Sequence, residues 1–452
     1  MSNVQGAMSN SRPMKDSGVE WIGEIPEEWE KQKAFRLFSI VGSGTTPKSI
    51  DEEKYTNGTV NWIQSGDIDK GIVSSCKTKI SLTALEQYSA LKIYTAPFIV
   101  IAMYGASIGN TGISSIDGCV NQACCVLSEP NAEFKFSFYS LMAAKGYLIT
   151  RADGGGQPNI SQEKIKALWI PLPNYKEQRR IADFLDRRCA EIDGVIEATK
   201  KTIEEYKALK QSIITEAVTK GVRGARPMKD SGIEWIGEIP EEWEIVRLKN
   251  LFDFGKGLPI TKENLIESGI PVISYGQIHS KITTGVELQQ HLYRYVDAAY
   301  VESNPQSLVH KGDFIFADTS EDLDGCGNAV YIDNELTLFA GYHTIVFSSK
   351  GEKNNKFLAY LFRTDAWRSQ IRSKVSGVKV LSISRRILAD ATVVIPNIDD
   401  REAIVAYLDD KCKEINRIIE RKQELLTEFE MYKKSVIYEY VTGKREGAID
   451  AT

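Results

Sequence analysis

The chain has 452 residues, 42% hydrophobic and 26% charged, the balance of a globular protein of about two to four domains. No apolar stretch reaches the ~18 residues of a membrane span and the polar first ten residues lack a signal peptide's apolar core, so a cytoplasmic protein without a membrane partner is expected. A net charge of −5 argues against a strongly basic, free-standing nucleic-acid binder, and seven cysteines without a CxxC pair argue against a disulfide framework or structural zinc.

Beyond the first ten residues, which read as a tail, residues 12–30 are RPMKDSGVEWIGEIPEEWE and recur at 226–244 as RPMKDSGIEWIGEIPEEWE, with one conservative change. Two copies in one polypeptide imply an internal pseudo-two-fold, the symmetry that suits a target made of two halves, such as duplex DNA. Residues 31–170 follow, with short apolar or alternating runs (VNWIQSGDI, FIVIAMYG, CVNQACCVL) separated by GSGTTP, GASIGNTG and GGGQPN. This pattern predicts a β-rich domain with glycine loops and a helix near 134–151. Residues 171–222 predict a long helix, and 223–244 hold the second motif. Residues 245–392 form the second β-rich domain, with PVISYGQI, DFIFADTS and YHTIVFSS and a helical stretch near 354–374. A second long helix (393–445) and a tail (446–452) end the chain.

The long helices rest on 3–4 spacing. Ala182, Leu185, Cys189, Ile192, Ile196, Thr199, Ile203, Tyr206, Lys210, Ile213 and Ala217 form one stripe, and its counterpart runs from Val405 and Leu408 to Val436 and Tyr440. Pro173 and Pro396 precede the helices, and Gly221 and Gly443 lie near their ends. Each stripe is too narrow to bury itself, so the two helices are expected to pair. At ~1.5 Å per residue, 45 residues span about 65 Å, or ~20 base pairs at ~3.4 Å.

Within the domains the chemistry is polar and loop-borne. GSGTTPKS at 42–49 lacks the GK[ST] ending of a P-loop, which leaves a DNA-contacting loop or a plain turn. Asn121-Gln122, set against Tyr342-His343, and Gln157 with Asn159, set against Val380 and Ser382, carry amides that either read adenine edges or satisfy buried backbone. No HExxH and no [DNS]PP[YFW] tetrapeptide is present, and all four histidines (His279, His291, His310, His343) fall in the second repeat, so no symmetric histidine site exists. The chain is expected to be no enzyme and to hold no metal.

DSGVEWIGEIPEEW, GSGTTP, WIQSGDI, VNQAC and NISQEKIKALWIPLPNYKEQRRIADFLD resemble, residue for residue, the specificity subunit of type I restriction–modification systems. The resemblance implies an α+β fold in which two β-rich target recognition domains are separated by a pair of long antiparallel coiled-coil helices. It implies a non-catalytic subunit that binds double-stranded DNA and two methyltransferase subunits, with restriction/translocase subunits as further partners. S-adenosylmethionine, ATP and magnesium would belong to those partners, and none to this chain. GKGLPI in place of GSGTTP, and SGVKVLS in place of GGGQPNI, mark departures in the second domain.

On this reading the first domain's base contacts are Ser43, Thr45, Thr46, Gln64, Ser65, Tyr104, Ser107, Asn121, Gln157 and Asn159. The second domain's are Lys256, Tyr275, Gln277, His279, Thr319, Ser320, Tyr342, Lys374 and Lys379. The pseudo-two-fold also places the motif near Trp21 against the end of the second helix, near Tyr440. The alternative is a coiled-coil scaffold or adaptor whose β-rich domains bind proteins. A self-sufficient nuclease or methyltransferase is disfavoured by the missing motifs.

Overall fold

The run Phe98–Ala102 shows how the first domain is built in the computed structural model, which describes residues 12–48, 58–68, 71–154, 156, 158–280, 286–351 and 355–445. All five side chains are buried, and they alternate between two cores. Ile99 and Ile101 join Trp29, Phe136 and Leu185, whereas Phe98, Val100 and Ala102 join Ile63, Tyr94 and Val126. A strand covered on both faces reads as a continuous apolar run. Phe314–Ala317 repeats the device: Phe314 and Phe316 meet Trp243 and Trp367, while Ile315 and Ala317 meet Ile273 and Val346.

The chain divides into two units, one taking Met1–Lys200 with Glu424–Thr452, the other Lys201–Gln423. Each unit therefore holds one motif, one β-rich domain, and one end of each long helix. In the first, Met14–Asp16 pairs antiparallel with Glu24–Pro26, and Glu30–Lys33 pairs with Trp169–Leu172, closing the domain at its base. Between them lies a five-stranded sheet in the order Phe38–Ser43, Cys124–Pro130, Phe98–Ala102, Thr111–Ser114, Ile72–Val73. A three-stranded sheet, Cys119–Val120, Val60–Ile63, Lys79–Ile80, stands beside it. The helix expected near 134–151 is present as two pieces, Phe134–Ala143 and Lys145–Thr150.

The second unit repeats the plan. Met228–Asp230 pairs with Glu238–Pro240, and Glu244–Arg247 with Thr392–Ile395. Its main sheet runs Phe252–Lys256, Thr344–Ser349, Phe314–Ala317, Ala329–Tyr331, and a second four-stranded sheet centres on Ile270–Ile273 and Leu338–Ala340. Helices Lys356–Leu361 and Asp365–Arg372 fill the stretch expected to be helical near 354–374.

The long helices run Tyr175–Lys220 and Ile398–Val441. Each begins after an asparagine whose side-chain oxygen caps the first turn: Asn174 accepts from Glu177 N–H at 3.0 Å, and Asn397 from Asp400 N–H at 2.8 Å. Beyond their ends Gly221 and Gly443 adopt φ of +82° and +71°. A β-carbon at Gly443 would lie 2.5 Å from Pro26 Cδ, and one at Gly221 would lie 2.1 Å from the Arg226 guanidinium. Glycine therefore serves both the left-handed turn and the close approach of the motif.

Helix pairing is antiparallel within each unit. In the first, Phe184 stacks on Tyr440 with ring centroids 4.3 Å apart, and Arg188 donates to Tyr432 at 3.1 Å. In the second, Lys422 sits over the Tyr206 ring at 5.9 Å, and Lys210 donates to Asn416 at 2.8 Å. Partner numbers fall as the first helix advances. Leu185, Cys189, Ile192, Ile196 and Ile203 are buried along the expected stripe, as are Leu408, Ile415, Ile419, Val436 and Tyr440.

The motif is the joint of each unit. Trp21 and Tyr440 share one core, and Tyr438 Oη and Lys444 Nζ both donate to the Ile22 carbonyl, at 3.2 and 2.8 Å, which is the packing the repeat predicts. Arg12 donates to Glu177 at 2.7 Å and lies over the Trp29 ring at 5.5 Å, while Trp29 Nε1 donates to the same carboxylate at 3.2 Å. The second copy repeats this with Arg226 and Asp400 at 2.6 Å, Arg226 over Trp243 at 5.2 Å, and Trp243 Nε1 to Asp400 at 2.8 Å.

Candidate nucleic-acid interface

Strand ladders decide which loops meet. In the first domain Ser43 lies opposite Cys125, and Cys124 opposite Ala102. The C-terminal ends of Phe38–Ser43 and Phe98–Ala102 thus share one end of the sheet with the start of Cys124–Pro130. The loops leaving this end carry Thr45, Thr46, Tyr104, Ser107 and Asn121. Asn159 joins them through a backbone bridge to Tyr104, and Asn121 N–H donates to the Ile63 carbonyl at 3.1 Å, drawing in Gln64 and Ser65. Gln157 lies outside the described residues.

Several of these side chains build the tip. Gln64 Nε2 donates to Thr78 Oγ1 at 3.3 Å, and Asn121 Oδ1 accepts from Ala123 N–H at 3.1 Å, the backbone-satisfying role open to it from sequence. The Thr46 hydroxyl donates to Gln122 Oε1, and Tyr104 also hydrogen-bonds Gln122. Burial raises the Tyr104 hydroxyl above its ordinary pKa, against the pull of that hydrogen bond. Gln122 is exposed and is the hub of this cluster, although Asn121 is the neighbour singled out from sequence. The side chains of Thr45, Ser65, Ser107 and Asn159 make no hydrogen bond among the described residues, and all four are at least partly exposed.

In the second domain Lys256 lies opposite Ile345 and Ala317 opposite Thr344, so the same sheet end gathers Lys256, Thr319 and Tyr342. Tyr275 N–H donates to the Tyr342 carbonyl at 3.3 Å. The Tyr275 ring lies 5.7 Å from Tyr342, 5.4 Å from His343 and 6.3 Å from His279. His279 is held at both ring nitrogens, by the Thr319 carbonyl at 2.8 Å and the Asn328 amide at 3.1 Å. Gln277 Oε1 accepts from Ser274 N–H at 3.1 Å. Ser320, only 4% exposed, donates to the Asp322 carbonyl at 2.7 Å. Thr319 pairs with Ser382, which bridges Ser376, and this brings the exposed Lys374 and Lys379 to the rim.

The base contacts expected from sequence do not include His343, Asp318 or Asn328. His343 has φ of +55°, uncommon for a residue with a β-carbon, and its ring lies 3.4 Å from the Asp318 carboxylate. The signal available in the sequence was position: each is next to, or in the loop of, a residue already chosen.

One correspondence needs correction. Asn121 N–H donates to Ile63 O and Gly341 N–H to Ile273 O, while Cys124 and Thr344 open equivalent strands. Asn121 therefore matches Gly341, Gln122 matches Tyr342, and Ala123 matches His343, one residue away from the pairing of Asn121-Gln122 with Tyr342-His343. Local similarity misleads here because the loops differ in length, whereas ladder register is fixed by backbone hydrogen bonds. The other pairing holds: Ile160 N–H donates to Met103 O and Ile383 N–H to Asp318 O, which aligns Asn159 with Ser382.

Chemistry-bearing groups are sparse. The thiols of Cys119, Cys124 and Cys125 are pushed up to about 12 by burial, which leaves them poor nucleophiles. Among the described residues, no group of three or more His, Cys, Asp or Glu could hold a metal ion, and no helix is long and apolar enough to cross a membrane.

Comparison with known proteins bears on this arrangement. The chain is 24% identical over 431 residues to the type I restriction enzyme MjaVIII specificity subunit of Methanocaldococcus jannaschii, covering 93% of both chains. It is also 24% identical to the same organism's putative MjaX specificity subunit, over 94% of this chain and 95% of that one. A solved chain from work on the complex assembly and conformational transition of the type I R-M system matches with a TM-score of 0.67 at 15% identity, over 93% of this chain and 99% of that one, a likeness of fold. The family model for the type I restriction modification DNA specificity domain matches twice, at residues 26–205 and 240–428, once per repeat. With both β-rich domains and most of both helices inside those matches, the chain belongs to the type I restriction–modification DNA specificity family.

Proposed function

We propose that the chain reads a bipartite, asymmetric duplex target, with residues 31–170 reading one half-site and 245–392 a different one. The observation that carries this reading is the tip comparison. Backbone hydrogen bonds recur position by position between the domains, while the side chains hung on them change: Gln64 to Ser274, Asp67 to Gln277, Tyr104 to Thr319, Gln122 to Tyr342, Ala123 to His343. A shared scaffold with exchanged donors, acceptors and rings suits one task performed on two sequences.

The paired helices set the unread spacer between half-sites and dock two methyltransferase subunits, which use S-adenosylmethionine to modify adenine N6. Restriction subunits, with ATP and magnesium, join the same assembly in the cytoplasm. The chain itself performs no bond-making or bond-breaking step. Its net charge of −5 fits a subunit whose partners supply most of the phosphate contacts.

The test is selection from random duplexes by the chain in complex with its methyltransferase subunits. Two different short motifs at a fixed spacing are expected. Retention of duplexes without any common motif would favour the scaffold reading, and methyl transfer or cleavage by the purified chain alone would overturn the non-catalytic assignment.

A further inference from the structure

The helix–domain contacts repeat almost pair for pair. Tyr139 Oη donates to Asp186 at 2.8 Å, and Tyr360 Oη to Asp409 at 2.7 Å. Lys135 and Lys356 pair with those same carboxylates. Trp29 meets Phe136, and Trp243 meets Phe357, edge-on at 6.4 Å in each case. This register makes Met142 the counterpart of Arg363, Asp193 the counterpart of Asn416, and Lys433 the counterpart of Lys210.

At that node the repeat breaks. In the first unit Lys433 is neutralised by Asp193, both carboxylate oxygens lying 2.7 Å from Nζ, and Met142 packs against the core. In the second unit Lys210 Nζ meets, among the described residues, the neutral Asn416 Oδ1 at 2.8 Å and no carboxylate, and Arg363 stands where Met142 would. The neighbouring Gln211 amide donates to the Arg363 carbonyl at 2.8 Å, fixing that turn against the first long helix. Among the described residues no carboxylate pairs with the Arg363 guanidinium. Burial, and then each other's charge in the case of Lys210, push both cations below their ordinary range. Arg368, alongside, donates to the Phe362 and Asp324 carbonyls.

Two half-buried cations without an anion are costly unless something answers them. The first unit fills the equivalent place with a carboxylate of its own, which identifies the kind of group that would answer these cations. We infer that the notch formed by Lys210, Arg363 and Asn416 receives an Asp or Glu side chain of a docked methyltransferase subunit, at the second unit only. This rests on the docking proposed above and adds to it that the two docking positions are inequivalent. The repeat offers matching surfaces, yet one carries an ion-pair socket that the other lacks. The socket gives an otherwise symmetric pair of partners a preferred first position.

Calorimetric titration of the full chain with its methyltransferase subunit tests the inference. The wild type should show two binding events of different affinity. Asn416→Asp, which supplies the carboxylate in cis as Asp193 does, and Arg363→Met should each weaken one event at least tenfold and leave the other within twofold. Asn416→Asp should melt at or above the wild-type temperature, which separates lost docking from lost folding. Two events left unchanged by both variants would overturn the inference while the docking reading stands, whereas absence of any binding by the wild type would remove both. Melting in inorganic phosphate against chloride at equal ionic strength identifies the other occupant. Stabilisation of the wild type but not of Asn416→Asp, with docking unchanged, would mean that the notch takes a free anion only, and the partner carboxylate would be rejected.

Discussion

At the joint, Arg12, Trp29 and Glu177 in one unit and Arg226, Trp243 and Asp400 in the other make the same three contacts within a few tenths of an ångström. At the tips the same backbone bonds recur, but scarcely a side chain does. The joint is where each motif is locked to a helix, and any change there costs the unit. The tip is where a polar loop meets solvent on a scaffold whose stability lies beneath it, so substitution is cheap. A repeat kept at the joint and released at the tip separates holding from reading within one chain.

The sharpest way to break this contrast is at the tryptophans. Trp29 is 1% exposed and Trp243 fully buried, and alanine at either should cost about 3–5 kcal/mol, with matching losses in urea unfolding. A loss below ~1 kcal/mol at one site would show that the joints are not equivalent. Next comes Asp400, whose side chain is 2% exposed and paired with Arg226. Asp400→Asn removes the buried partner of Arg226 and leaves it only the more exposed Glu242 at 2.9 Å, so it should cost about 3 kcal/mol, more than Glu177→Gln at its 19%-exposed counterpart.

The Asp400 pair also carries a pH signature. Burial alone would raise its carboxyl, but Trp243 and Arg226, helped by Arg223, outweigh it and hold the pKa below the ordinary carboxylate range. A depressed folded-state value stabilises the fold above the unfolded pKa of ~3.9, and that contribution is lost as pH falls through the folded value. The melting-temperature gap between wild type and Asp400→Asn should therefore be full at neutral pH and close below about pH 4.

Effects at the tips should be smaller in stability and larger in recognition. If Gln122 reads a base edge, Gln122→Ala should cost ~1–3 kcal/mol of binding at one position of one half-site. Loss spread evenly over all duplexes would assign it to loop support through Thr46 and Tyr104 instead. The smallest effect belongs to Lys379, exposed on the loop before Ser382. Alanine there should weaken every duplex alike and flatten the salt dependence by about one unit of slope.

Much of the fold was legible because long-period signals are robust. The stripe from Ala182 to Ala217 announced a helix, and Pro173 and Gly221 bracketed it within a few residues. The true starts at Tyr175 and Ile398 were set by Asn174 and Asn397, whose capping role is a local hydrogen bond rather than a pattern. The runs at 98–102 and 314–317 were recognisable as strands, but their splitting into two cores depends on what packs above and below. Tip chemistry was the least legible. Gln277, Ser320 and His279 look like outward readers in sequence, yet Ser320 and both ring nitrogens of His279 bond nearby protein groups, and Gln277 Oε1 caps Ser274 N–H. His343 and Gln122 stand out in sequence, yet their neighbours Tyr342 and Asn121 are the base contacts expected from it. Gln122 and His343 lie in turns just before the strands that open at Cys124 and Thr344, and where those turns fall is fixed by ladder hydrogen bonds rather than by local sequence.

The division of the chain also orders its synthesis. Lys201–Gln423 is continuous, so the ribosome releases every residue of that unit in a single stretch. The unit that begins the chain must wait, because its core includes Val436, Ile437, Tyr440 and Val441. At 5–20 residues per second the delay between Lys200 and Glu424 is about 10–45 s. During that time the face of Ile181, Ala182 and Leu185 lacks its closing helix. The first half to be translated is thus the last to be finished, and a nascent chain truncated before Glu424 would hold one complete reading unit and one open one.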